Sequence, residues 1–192
     1  MNLFVRGPLA AAHVVFEAIG HTSPVIVFKT RYGELLVKKQ GALLQMDFPS
    51  IPPSLCKTPD ILIDGLGLRP VEVLAGDDYL AVFDTELTIR TIAPDYEMLK
   101  QLNLRGVIVT APGTDVDFVS RFFAPKLGIL EDPVTGSAHC ELAPYWSSRL
   151  GKNILRAKQV SKRGGSVACE VSGKRVLLAG SAITFMEGEI IL

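Results

Sequence analysis

Apolar residues along this chain occur in two patterns. From Leu9 to Ile19 the run Leu-Ala-Ala-Ala-His-Val-Val-Phe-Glu-Ala-Ile is apolar on nearly every side of a 3.6-residue turn, which predicts a helix over Pro8–Ile19 that is buried all round. Pro8 suits its first turn, where no N–H is needed, and Gly20 suits its C-terminal stop. Shorter, β-rich runs follow: Val25–Lys29, Glu34–Lys38 after a turn at Arg31-Tyr32-Gly33, and Leu43–Phe48 after Gln40-Gly41. The order is a helix and then an antiparallel meander.

That order returns near the C-terminus. A helix from Ser137 to Leu150 stops at Gly151 and precedes strands around Ile154–Gln159, Val167–Val171 and Arg175–Leu178. The glycine spacing repeats as well. Gly20 to Gly33 and Gly151 to Gly164 are both 13 positions, and Gly33 to Gly41 and Gly165 to Gly173 are both 8. His13 and His139 fall early in the matching helices. A duplicated helix-and-meander unit explains this punctuation, although side-chain identity between the copies is slight.

The second copy has a long lead-in. A Pro-rich stretch, Pro49–Pro59, reads as a linker. Between it and Gly136 lie strand patterns at Val71–Leu74, Tyr79–Phe83 and Val107–Thr110, and a helix Asp95–Leu102 capped by Pro94 and Asp95. These are about 75 residues of α+β structure. The boundaries divide the chain into residues 1–55, a partial N-terminal half, and residues 56–192, a C-terminal half. Only six residues precede Gly7, so duplication leads to the expectation that about one lead-in of sequence belongs upstream of Met1.

Composition narrows the function classes. Twenty basic residues balance twenty acidic ones, so no net charge draws the chain to nucleic acid or to an anionic membrane. Leu9–Ile19 is interrupted by His13 and Glu17 and is too short to span a bilayer. Cys56, Cys140 and Cys169 are odd in number and far apart, without metal-ligand spacing, which points to a reduced, cytoplasmic compartment and to no metal site.

The densest chemical signal is Glu131-Asp132-Pro133-Val134-Thr135-Gly136-Ser137-Ala138-His139-Cys140. An acid, a Pro-bearing turn, a Gly and a Ser stand just before a helix, so the N–H groups of Gly136, Ser137 and Ala138 can face outward at its positive end. Such an end binds a carboxylate or steadies a developing enolate. The same string also reads as an Asp/Thr/Ser N-cap with a turn glycine and nothing more. Buried, hydrogen-bonded core residues are the simpler reading of His13 and His139, and an inert buried thiol that of Cys140. Asp77-Asp78 and Glu187-Gly188-Glu189 read as turn chemistry. No G-x-S-x-G elbow surrounds Ser137, so a hydrolase nucleophile is not indicated.

This string, with Arg121-Phe122-Phe123-Ala124-Pro125 before it and Tyr145-Trp146, Leu150-Gly151-Lys152 and Ser161-Lys162-Arg163-Gly164-Gly165 after it, resembles the signature region of the PhzF-like (phenazine biosynthesis-like) family from about Leu9 to the end. The resemblance implies a diaminopimelate-epimerase-like α+β fold, in which two pseudo-symmetric halves each wrap strands around a central helix and hold the substrate between them. It implies a cofactor-independent isomerase or epimerase that moves a proton on a small carboxylated metabolite. Asp132 and Ser137 would be the catalytic residues, bordering a polar pocket, with backbone contacts to substrate from Gly136 and Ala138. A homodimer is also implied.

The sequence departs from that family's pattern at its start. Where a C-G-H-A-T-like turn is expected before Leu9, the chain reads Phe4-Val5-Arg6-Gly7-Pro8, with Val5 for the glycine and Arg6 for the histidine. The family's proton-moving glutamate is expected tens of residues earlier. The expectation is therefore an N-terminally truncated chain with impaired activity, and the alternative is a non-catalytic small-molecule-binding or protein-interaction protein.

Overall fold

The structure is a computed structural model that describes residues 6–30 and 33–189, apart from the Arg6 side chain. The predicted turn residues Arg31 and Tyr32 and the departures at Phe4, Val5 and the Arg6 side chain lie outside the described residues. The elements are α1 (Arg6–Glu17), β1 (Val25–Thr30), β2 (Gly33–Gln40), β3 (Leu43–Pro49), β4 (Ser54–Leu55), α2 (Asp60–Leu66), β5 (Glu72–Ala75), β6 (Tyr79–Val82), α3 (Glu86–Thr91) and α4 (Tyr96–Leu99). They continue with β7 (Val107–Pro112), β8 (Phe118–Ala124), a short 3-10 turn, β9 (Ile129–Asp132), α5 (Gly136–Leu150), β10 (Ile154–Gln159), β11 (Gly165–Ser172) and β12 (Arg175–Gly180).

The strands form one mixed sheet in the order β1-β2-β3-β12-β11-β10-β8-β7-β6-β5-β4, with β9 beside β8. Read outward from the β3–β12 junction, the sheet runs β3, β2, β1 on one side and β12, β11, β10 on the other. The β3–β12 pair is antiparallel and sets Met46 opposite Leu178. These two are 132 positions apart, as are Gly33 and Gly165, and Gly41 and Gly173. Each is therefore the other's counterpart in the repeat, which is what a twofold axis through the middle of the β3–β12 pair requires.

The glycines explain why the two meanders match. Gly20 and Gly151 end their helices at φ 74° and 65°, and Gly41 and Gly173 turn their hairpins at φ 60° and 57°. Those are left-handed conformations that a Cβ disfavours.

Two cores lie on opposite faces of the C-terminal strands. On β8, Phe118, Phe122 and Ala124 join the core beneath α5, while Val119 and Phe123 join the core beneath α2, α3 and α4. A strand buried on both faces reads as continuously apolar, as Phe118–Ala124 nearly does. The first core continues through Val176 and Leu178 into Met46, Phe48, Val37 and, on α1, Ala12 and Phe16.

Four expectations need correction. The first helix is not buried all round: of its described side chains only Ala12 and Phe16 are buried, because it packs chiefly on β2 and β3 and on one side only. His13 is half-buried rather than a core residue, and its Nε2 meets Thr184 Oγ1 at 3.0 Å. The Pro-rich stretch is not a bare linker either. Ile51 N–H donates to the Cys140 carbonyl of α5 (2.9 Å), and Ser54–Leu55 pairs with β5. The helix read over Asp95–Leu102 shrinks to Tyr96–Leu99, but Asp95 caps it, its carboxylate accepting from Glu97 and Met98 N–H.

Candidate active site

Strand β9 delivers Asp132 into a three-residue connection to α5, residues 133–135, and strand β10 pins that connection. Gln159, fully buried, accepts the Thr135 N–H through Oε1 (2.8 Å) and donates through Nε2 to the Asp132 carbonyl (2.7 Å) and to Thr135 Oγ1 (3.2 Å). Ser161 Oγ donates to the Pro133 carbonyl (2.8 Å) and accepts from Gly164 N–H (3.0 Å). At Gly165 a Cβ would come within 2.6 Å of Val134 Cγ2, so glycine there lets the connection lie flat on β11. On the other side Arg121 pairs with Glu131 through Nε (2.7 Å) and Nη2 (3.0 Å) and donates to the Ile89 and Ile92 carbonyls. A fixed loop is the result.

Thr135 is the N-cap residue of α5, yet its side chain makes no cap. Its hydroxyl donates instead to Asp132 Oδ2 at 2.6 Å. At Thr135 the purely structural N-cap reading thus lacks its defining hydrogen bond. The first-turn amides of Gly136, Ser137 and Ala138 stand at the positive end of a 15-residue helix without a Thr135 side-chain cap.

Asp132 and Ser137 are both buried, at 8% exposure each. They face different partners. Asp132 turns to Thr135, whereas Ser137 Oγ accepts from Arg105 Nη2 (3.3 Å). Arg105 in turn grips the fully buried Asp78 through Nε (2.9 Å) and Nη2. Asp78 lies in the β5–β6 turn, and its N–H donates to Oε1 of Glu141 (3.1 Å), one helical turn beyond Ser137. Asp77-Asp78 is thus turn chemistry, as expected, and it is also half of a polar cluster that sequence reasoning missed. The signal available was the i, i+4 spacing of Ser137 and Glu141 on one face of α5.

Electrostatics separate the buried groups. Burial, followed by the negative Asp78, pushes the Glu141 carboxyl up to about 8, so it holds its proton at neutral pH. Burial pushes the Cys140 thiol up to about 12, which makes it a poor nucleophile. His139 is fully buried and drawn down to about 4 by burial, with Nδ1 on the Thr135 carbonyl (2.7 Å), so it is neutral. Among the described residues no three His, Cys, Asp or Glu side chains cluster as metal ligands.

A cavity of about 480 Å³ opens where the two halves meet. Leu9 near the start of α1, Met46 and Leu178 of the symmetric strand pair, Val134 and Gly136 at the start of α5, and Arg163 all line it. A second recess of about 370 Å³ is bounded by Glu131, Pro133, Ser161, Lys162 and Arg163. Of the four residues expected at the site, Gly136 lines the larger cavity. Asp132, Ser137 and Ala138 are not among its lining residues.

A sequence profile described as phenazine biosynthesis-like protein matches residues 7–188. A protein of Pseudomonas aeruginosa named as an uncharacterized isomerase is 50% identical over 190 residues, covering 99% of this chain and 73% of the relative. A crystal structure of a phenazine biosynthesis protein of the PhzF family from Enterococcus faecalis superposes with a TM-score of 0.96 at 42% identity, over 100% of this chain and 74% of that one. A hydroxyproline epimerase from Agrobacterium vitis, solved with bound trans-4-hydroxy-L-proline, gives a TM-score of 0.55 at 11% identity over 93% of this chain and 64% of that one, a likeness of fold alone. The architecture is the α+β, epimerase-like fold expected. No helix among the described residues is long and apolar enough to cross a membrane.

Proposed function

The chain belongs to the phenazine biosynthesis-like protein family, and on that premise we propose that it is a cofactor-independent isomerase or epimerase of a small carboxylated metabolite. One observation carries this reading: the first turn of α5, left uncapped by Thr135, opens beside a cavity at the junction of the two halves. Helix-terminal amides suit a substrate carboxylate or the enolate that forms from it. Arg163 on the cavity wall adds a positive charge.

In the reaction so proposed, a carboxylate takes a proton from a carbon next to a carbonyl or double bond. The electron pair moves into that neighbouring π system, and a proton returns to another carbon or to the opposite face. Substrate and product are isomers, with no net oxidation. Asp132 is the group among the described residues proposed to orient the substrate and relay the proton, because its carboxylate is held at a fixed place by Thr135. Ser137 is proposed to hold the substrate's carboxylate together with the Gly136 and Ala138 amides.

A competing reading is a binding protein that keeps the cleft without the reaction. It is favoured by the engagement of Asp132 and Ser137 with Thr135 and Arg105. Incubating the protein in D₂O with pyruvate, 2-oxobutyrate and L-proline, and following carbon-bound deuterium by mass spectrometry, separates the two. Catalysed incorporation that falls by a factor of about 10² to 10⁴ in Asp132→Asn supports the isomerase reading, in line with the usual contribution of a positioned acid or base. Binding without incorporation supports the other.

A further inference from the structure

We propose that Arg105 is a positioning residue that sets the Ser137 hydroxyl as a hydrogen-bond donor, so that the site selects a substrate oxygen that accepts; this rests on the reading that Ser137 contacts the substrate. A guanidinium has only donors. The contact between Arg105 Nη2 and Ser137 Oγ (3.3 Å) can therefore run in one direction, with the hydroxyl accepting. One lone pair of Ser137 is occupied, and its own proton must point elsewhere. A hydroxyl turned this way has its proton free for a carboxylate or carbonyl oxygen and only one lone pair left for an ammonium or amide N–H.

The direction is enforced by a closed ring of contacts that begins and ends on α5. Ser137 accepts from Arg105, and Arg105 clamps Asp78 with two nitrogens. Asp78 gives its N–H to Glu141, four residues along the same helix face from Ser137. Arg105 and Asp78 side chains are 13% and 0% exposed, so solvent has little chance to loosen the pair. The β5–β6 turn presses against this ring so closely that a Cβ at Gly76 would lie 2.4 Å from Glu141 Oε2. Asp78 balances the charge of Arg105, so the guanidinium contributes direction at Ser137 rather than net attraction. The attraction for an anion comes from the end of α5.

The test uses the full chain and two probes, benzoate and L-proline, titrated while the amide resonances of Gly136, Ser137 and Ala138 are followed by NMR. Wild type is expected to bind, and both Ser137→Ala and Arg105→Gln to weaken binding about tenfold, the ordinary weight of one hydrogen bond to a charged group. The double variant is expected to bind no worse than Ser137→Ala alone, because Arg105 acts through that hydroxyl. Arg105→Lys, which keeps the charge and a donor, should fall between wild type and Arg105→Gln and provides the measurement if the glutamine variant does not fold. Melting temperatures are recorded beside each titration. Wild-type binding by both arginine variants, with Ser137→Ala impaired, overturns the role of Arg105 and leaves the proposed function standing. Additive losses in the double variant overturn it too, since a purely structural or independent contribution adds. No amide response in wild type to either probe overturns the carboxylate reading and this inference with it.

Discussion

The two central helices share a plan and differ in what surrounds them. In α5 ten of fifteen residues are buried, including His139, Glu141 and Ser147; in the more uniformly apolar α1 only Ala12 and Phe16 are buried among the described side chains. Each precedes a three-stranded meander, but α5 packs on β10, β11 and β12 while Phe118 of β8 stacks on its Trp146 at 5.7 Å, and the chain after β3 hydrogen-bonds its carbonyl edge at Cys140. α1 has β2 and β3 beneath it, and Val14 remains 51% exposed. Apolar composition states how much surface a helix needs to hide. How much is hidden depends on how many layers reach it, and in the second unit β8 and the segment after β3 supply that cover. It also lets α5 keep polar residues inside, where the candidate site is built.

The sharpest way to break this comparison is to remove one large side chain from each helix. Trp146 is 1% exposed, lies parallel to Phe118, meets Tyr145 edge-on and donates its indole N–H to Thr110 Oγ1 at 3.0 Å. Trp146→Ala should cost about 3–5 kcal/mol of stability, the range for aromatic-to-alanine changes in closed cores. Phe16, at 6% exposure under a helix covered on one side, should cost about 2–3 kcal/mol, because its site can partly collapse or admit water. Urea unfolding of both variants checks the order. A larger loss for Phe16→Ala would mean that α1 carries as much packing as α5.

Buried ionisation is the second difference. Glu141 on α5 has its carboxyl raised to about 8, chiefly by burial, whereas Glu17 on α1 is exposed and drawn below the usual carboxylate value by Lys39, 2.6 Å away. Above about pH 4.5 the unfolded chain has shed the Glu141 proton while the folded chain keeps it. This group's contribution to stability is therefore greatest below that pH and declines as pH rises toward about 8. At about 1.4 kcal/mol per pH unit, wild type should lose about 2–3 kcal/mol relative to Glu141→Gln between pH 5 and 7. Denaturant titrations across that range measure it. Parallel pH profiles for the two proteins would show that Glu141 ionises normally. Glu17→Gln should leave the profile in this window unchanged, since Glu17 is ionised in folded and unfolded chains alike.

Much of the plan was legible because it depends on local chemistry. Gly20, Gly41, Gly151 and Gly173 announce left-handed backbone where helices and hairpins must end, and each of them adopts it. The Asp132–Ser137 string announces a helix start for the same reason. The β3–β12 junction was not legible, because alternation within a strand says which face is buried but not which distant strand lies beside it. Nor was the Ser137–Arg105–Asp78–Glu141 ring, whose members come from α5, the segment before β7 and the β5–β6 turn and meet only when the sheet is assembled. Full burial was misjudged for α1 because periodicity describes one helix and says nothing of its neighbours. The short α3 escaped notice because six residues carry too little periodicity to register.

The smallest expected effect concerns the outer face of α1. Val14 is half exposed, and its neighbour Ile19 beyond the helix end is 72% exposed. Val14→Lys replaces a side chain that already meets solvent, so monomer stability should change by less than about 0.5 kcal/mol, the usual range for surface substitutions. Placing lysine at Ala143, which is fully buried in α5, should instead prevent folding or cost several kcal/mol, since a desolvated ammonium would sit in a closed core. Any self-association through the exposed apolar face of α1 should weaken in Val14→Lys, which sedimentation at several concentrations would reveal independently of stability. A Val14→Lys loss approaching that of Ala143→Lys would mean that the outer face of α1 is covered in solution, and the contrast between the two helices would then belong to the isolated chain rather than to the protein as it exists in solution.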